Sequence, residues 1–177
     1  MAPWLLNQKR VLASPRHDER QRGRWSSDVC NLYSLTKSQD AIRRITGAMR
    51  DTTGNLPPLP GIFPDYEAPI IRNDADGERE LVKARWGMPS PAFALKGKKV
   101  DKGVTNIRNV GSPHWRRWLG PPSRCLVPFT SFSENDKGPD GKAVPVWFAL
   151  NESRPLAFFA GICTLQAVPR SSCGSTG

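Results

Sequence analysis

The chain has 177 residues, enough for one domain with a real core. Its hydrophobic fraction is only 38%, and 17 prolines with 15 glycines argue for turn-rich β structure over a helical bundle. The net charge of +10 fits a solvated basic surface or contact with phosphate, no apolar run reaches membrane-spanning length, and the four cysteines lack the short repeated spacing of a zinc site or disulfide framework.

Residues 1–29 are charged and aperiodic and read as a disordered extension foreign to the fold. At Cys30 the pattern changes. Leu32, Leu35, Ala41, Ile42, Ile45 and Met49 follow near helical spacing, and a helix opens at Ser38 or Asp40 and runs to about Met49. Gly54–Gly61, with three prolines, reads as loop. Tyr66–Arg72 and Arg79–Met88 read as strands joined by the turn Asn73–Gly77. Pro89-Ser90-Pro91 breaks the chain, and Lys96-Gly97-Lys98-Lys99 is a flexible basic loop. Ser112–Trp118 reads as a short helix capped by Ser112 with Pro113 at its first position. Cys125–Phe129 is a buried strand, and Ser131–Glu134 leads into a polar turn, Asn135–Lys142. Val144–Leu150 and Leu156–Ile162 are expected to pair across Asn151–Pro155. From Cys163 to Gly177 periodicity is lost, which leaves the last strand without a neighbour to cover it.

Taken singly, the residues that could carry chemistry are ambiguous. Cys30 reads as a small buried hydrophobe or as a nucleophile. Glu134, after Phe132 in strand alternation, reads as a solvated edge carboxylate or as an acid/base group. Asn106 and Arg108 share one face of an extended segment, and Trp86, Trp115 and Trp118 read as core aromatics or as stacking platforms for unpaired bases. His17 and His114 are not placed as metal ligands, so no metal site is expected and no cofactor is called for.

In order along 30–162, Cys30-Asn31-Leu32-Tyr33, Pro64–Pro69, Trp86-Gly87-Met88-Pro89, Thr105–Asn109, Arg124–Pro128, Phe132-Ser133-Glu134 and Pro155–Ile162 resemble the SOS response-associated peptidase (SRAP) family of abasic-site processing proteins. The resemblance implies an α+β fold, an antiparallel β-barrel-like core with a few helices and a positively charged groove, here incomplete. It implies an autoprocessing peptidase of the DNA-damage response that crosslinks to abasic sites in single-stranded DNA. Cys30 matches the cysteine whose α-amine and thiol capture the sugar aldehyde as a thiazolidine. Asn106 matches the residue orienting the captured sugar, and Glu134 the acid/base. Arg108, Trp86 and Pro69 match the DNA-binding groove. The implied partner is single-stranded DNA, and the implied state is a monomeric, nucleoid-associated cytoplasmic protein away from membranes.

Four departures qualify the resemblance. Leu32 stands where the family commonly has arginine, and Ile107 where it commonly has alanine. The family's catalytic histidine segment, beyond the last matching strand, has no counterpart, and His114 precedes Glu134 and does not match it. Cys30 is acylated by Val29, whose nitrogen-capping carbonyl forbids a Schiff base. The expectation is therefore a partial domain over 30–162, with a true start at Val29 and a truncation or frameshift after about Ile162. The alternative is an inactive relative that binds single-stranded DNA without a covalent bond.

Overall fold

The computed structural model describes residues 31–164, together with the backbone of residues 3–7. The described elements are β1 (Pro3–Asn7), β2 (Leu32–Leu35), α1 (Gln39–Thr46), β3 (Arg50–Asp51), β4 (Leu59–Ile62), β5 (Glu67–Asn73), β6 (Arg79–Trp86), β7 (Arg124–Phe129), β8 (Ser131–Lys137), β9 (Ala143–Phe148) and β10 (Ala157–Cys163). Short 3-10 turns cover Ala92–Leu95, Arg116–Trp118 and Pro121–Ser123.

Six strands form one sheet in the order β1-β10-β7-β5-β6-β3, and four form a second in the order β4-β2-β8-β9. The expected barrel is thus corrected to two sheets and, among the described residues, one α-helix. The split occurs at Thr130, between β7 and β8. Its N–H and hydroxyl both donate to the Ser34 carbonyl, at 2.7 and 3.1 Å, and this turns the chain from the first sheet onto β2 in the second. A parallel contact of β1 with β6, Pro3 opposite Arg85 and Trp4 opposite Trp86, spans only two residues and does not make a closed barrel.

The hairpin β5–β6 forms as its pattern predicts, with Ile70 opposite Val82 and Ile71 opposite Leu81. Asp74 accepts from the N–H groups of Asp76 and Glu78 at 2.9 Å, and Gly77 supplies the left-handed residue at φ +83°. Helix α1 starts where Ser38 accepts from the Ala41 N–H and stops at Gly47, φ +63°. It is shorter than expected: only Ile42 and Thr46 are buried, while Ile45 is 61% and Met49 78% exposed. A single buried turn cannot carry the helix further against the fraying of its ends.

Five other expectations change. β9 pairs with β8, Glu134 opposite Val146, and not with β10. A tight turn closed by the Gly138 N–H on the Lys142 carbonyl, with Gly141 at φ +76°, favours this nearer partner. The unbroken apolar run of β10 instead suits the interior of a sheet, and it lies between β7 and β1. β1 itself falls within the segment expected to be disordered. Its backbone pairs Trp4 through Asn7 with Cys163 through Ala160, so the last strand does have a neighbour. Leu59–Gly61, expected as loop, joins Ile62 in β4 and pairs with β2, and only Arg116–Trp118 of the expected helix at 112–118 is helical. Residues 8–30 and 165–177, including Cys30 and most of the expected tail, lie outside the described residues.

The core is aromatic. Tyr33 of β2 meets Trp86 edge-on at 5.2 Å, and Phe159 stacks on Phe129 at 3.9 Å. Leu35, Ile42, Ile62, Ile70, Leu81 and Val127 fill in around them. A smaller cluster, Met88, Ile107, Trp115, Trp118 and Ile162, closes the end of the six-stranded sheet that carries the segment 104–108.

Candidate functional site

Strand β2 begins two residues after Cys30. It runs antiparallel to β8 with Leu32 opposite Ser133 and Tyr33 opposite Phe132. Exposed Asn31, the attachment point of Cys30, precedes Leu32, and Glu134 follows Ser133 on the partner strand. Glu134 is half-buried at the point where β8 passes from core to surface. Cys30 lies outside the described residues, so only its attachment point is located.

The segment holding Asn106 and Arg108 is fastened to the end of β6 by a close backbone approach. Gly87, at φ +140°, and Gly103, at φ +77°, face each other so tightly that a Cβ on Gly103 would sit 3.0 Å from the Gly87 Cα. Only glycine permits that contact. Just beyond it, Met88 and Val104 exchange two backbone hydrogen bonds of 2.9 and 2.8 Å. The Trp86 indole N–H then donates to the Thr105 carbonyl at 3.1 Å. Asn106 is half-buried, with its side-chain amide donating to the Thr105 hydroxyl at 3.2 Å, and Arg108 is exposed.

Trp86 therefore differs from its expected place as a groove-lining residue. It is 0% exposed, and its ring packs against Tyr33. Pro69 is likewise buried, in the middle of β5 opposite Lys83. Neither offers a face to a base in this structure. The reason lies in strand position: Trp86 shares the face of β6 that carries Ala84 into the core, where burial of apolar area outweighs exposure of a stacking platform, and Pro69 is covered within a central strand. Trp86 instead joins two parts of the site. One edge meets Tyr33, three residues after Cys30, and its N–H holds the carbonyl next to Asn106.

Asp101 was not among the expected residues, yet it secures the basic loop. Its carboxylate accepts from the Ser90 N–H and hydroxyl and from the Gly103 N–H, at 2.6 to 2.9 Å. Burial raises its pKa, but the hydrogen bonds from Ser90 and Gly103 and the charge of Arg85 outweigh that and hold it below the ordinary aspartate range. Beside it, Lys98, Lys99 and Lys102 line a cavity of about 490 Å³. The sequence signals were the lysine run and an aspartate two residues before a glycine, but nothing local connected Asp101 to Ser90. His114 is structural: its Nε2 lies 2.9 Å from the Pro89 carbonyl and its ring lies edge-on to Trp115 at 4.5 Å. Among the described residues, no group of three or more His, Cys, Asp or Glu side chains could hold a metal, and no helix is long and apolar enough to cross a membrane.

Comparison with known proteins places the chain in a family. Residues 29–173 match the family model of the SOS response associated peptidases (SRAP), and the chain belongs to that family. Two solved structures from Bordetella bronchiseptica share the fold. One protein is 24% identical, with 75% of this chain and 63% of that chain covered and a TM-score of 0.50. The other, a phage-related protein, is 16% identical, with 74% and 59% covered and a TM-score of 0.50. The chain thus spans about three-fifths of the solved structures it resembles. No curated protein matches it.

Proposed function

We propose that, as a member of this family, the chain processes abasic sites in single-stranded DNA by a covalent crosslink through Cys30, after a peptide cleavage at Val29–Cys30 that frees the cysteine amine. What supports the reading is the β2–β8 register, in which Leu32, two residues after Cys30, pairs with Ser133, next to Glu134 in the chain. An α-amine titrates near about 8 and a thiol near about 8.5, so both need little activation at neutral pH.

The chemistry runs in two steps. The Cys30 amine adds to the aldehyde carbon of the ring-opened sugar, and loss of water, with a proton supplied by Glu134, gives the Schiff base. The thiolate then adds to the imine carbon and the imine nitrogen takes the proton, closing a thiazolidine. Asn106 would orient the sugar through its amide, and exposed Arg108 would meet a neighbouring phosphate. Trp86 acts at one remove, by holding the Thr105–Arg108 segment and the start of β2 against the same ring.

The decisive experiment incubates an abasic single-stranded oligonucleotide with the chain and with a form starting at Cys30. A heat-stable adduct that is lost in Cys30→Ala, together with N-terminal sequencing that finds Cys30 first in the reactive form, supports the proposal. An adduct that survives Cys30→Ala overturns it. A second reading, non-covalent binding of single-stranded DNA, draws on the three lysines lining the Asp101 cavity. Salt-sensitive binding with no adduct in either form would favour it.

A further inference from the structure

A second pair of thiols lies away from Cys30. Cys125 and Cys163 are free and buried. They sit on neighbouring antiparallel strands, β7 and β10, where Cys125 faces Gly161 and Arg124 faces Ile162. Cys163, two residues beyond Gly161, is on the same side of the sheet as Cys125 and diagonal to it. Gly161 puts no side chain in the position opposite Cys125. Each thiol shifts the other's titration, as a close neighbour would. On the other flank, β5 sets Arg72 opposite Cys125, with the Arg72 guanidinium paired to Glu80 at 2.7 Å.

We infer that Cys125 and Cys163 form an oxidisable dithiol, a modification site that closes to a disulfide within one chain, between β7 and β10, when the protein meets hydrogen peroxide. The roles of the two sulfurs differ. The hydrogen bond from Cys125, with the charge and hydrogen bond of Arg72, outweighs burial and the Glu80 charge and lowers the Cys163 pKa. Burial above all, with the neighbouring Cys163, pushes the Cys125 thiol well up. Its place at the end of β10 makes Cys163 the attacking thiolate and leaves Cys125, within β7, as the resolving thiol. Opening of that strand end admits a small oxidant without unfolding the sheet.

In the first step the Cys163 thiolate attacks one peroxide oxygen. The O–O bond breaks, hydroxide leaves and is protonated to water, and Cys163 becomes a sulfenic acid. In the second step the Cys125 sulfur attacks the Cys163 sulfur, the S–O bond breaks, and the oxygen leaves as a second water carrying the Cys125 proton. Two thiols have lost two electrons and two protons, and one hydrogen peroxide has become two waters. None of this requires the Cys30 chemistry, so either proposal can fail alone.

The test treats the full chain with hydrogen peroxide, quenches it with acid and an alkylating agent, and maps the thiols. Running the same treatment on Cys30→Ala/Cys173→Ser leaves only the two thiols of interest. We expect an intact mass lower by two hydrogens per chain and a linked peptide containing Cys125 and Cys163. In Cys125→Ser, Cys163 should accumulate as a sulfenic acid that a 1,3-dione reagent labels. If that variant fails to fold, the map of the unsubstituted chain decides. Cys125 and Cys163 both remaining alkylatable under exposure that fully oxidises glutathione, or bridging only between chains, overturns the inference.

Discussion

Replacing Trp86 separates its position in the core from a role as a stacking platform. In Trp86→Phe, the lost indole N–H leaves the Thr105 carbonyl without its donor, at a cost of about 1 kcal/mol. The space vacated beside Tyr33 in a fully buried site adds about 1 kcal/mol more. The total of about 2 kcal/mol corresponds to a fall in Tm of roughly 4–8 °C for a chain of this size. Trp86→Ala removes the whole ring and should cost about 3–5 kcal/mol. The assay is urea and thermal unfolding of both variants alongside single-stranded DNA binding by the fraction that stays folded. A ring that stacked on a base would behave differently: phenylalanine would preserve most of the binding, and alanine would lose about 1–3 kcal/mol of it with the fold intact. Unchanged stability in Trp86→Ala together with lost DNA binding would refute the assignment of Trp86 to the core.

Glu134→Gln should slow adduct formation on an abasic oligonucleotide by about 10²- to 10⁴-fold while equilibrium binding of intact single-stranded DNA is unchanged; equal rates would remove Glu134 from the chemistry. Gly103→Ala should destabilise the chain and reduce crosslinking, since its Cβ meets the Gly87 backbone at 3.0 Å and its φ is +77°; a neutral melt would show that the two strands can part freely. Substituting Lys98, Lys99 and Lys102 together by alanine should flatten the dependence of log binding constant on log salt by about 2 if each meets a phosphate, and leave it unchanged if they are merely solvated. Asp101 has a lowered pKa, so its stabilising effect is complete above the unfolded aspartate value of about 3.9 and is lost as pH falls from there through the lower folded value. Hydrogen exchange at the Ser90 and Gly103 amides should accordingly rise at acid pH, and Asp101→Asn should show the faster exchange already at neutral pH.

The parts of the fold that were legible in the sequence are those with local causes. The β5–β6 hairpin follows from two apolar runs around Asn73–Gly77, and α1 from Ser38 before an apolar repeat. The pairing of β9 was misread because Val144–Leu150 and Leu156–Ile162 look like adjacent arms of one hairpin. Their partners are chosen by sheet context, which no local pattern encodes. The same limit applies at the site. Glu134 and Asn106 were singled out as candidates by motif order, whereas the Asp101–Ser90 latch depends on chain reversal between residues that have no sequence signal in common. Trp86 shows the difference most clearly: its place in the motif order was legible, but its burial depends on strands β2 and β6 meeting through Tyr33.

That meeting also ties reactivity to the integrity of the core. The strand that follows Cys30 belongs to the four-stranded sheet, whereas Asn106 and Arg108 hang from the end of the six-stranded one. Thr130 on Ser34 and Trp86 between Tyr33 and Thr105 both bridge the sheets. A loss of packing at Tyr33 would therefore shift β2 and the Asn106 segment relative to each other before either sheet unfolded. Tyr33→Leu keeps an apolar side chain but removes the edge-on contact with Trp86, so crosslinking should fall more steeply than folded population. A misplacement of about 1 Å between reacting groups can cost roughly a hundredfold in rate. Parallel loss of adduct and folded protein, in proportion, would mean instead that the two sheets position their residues independently.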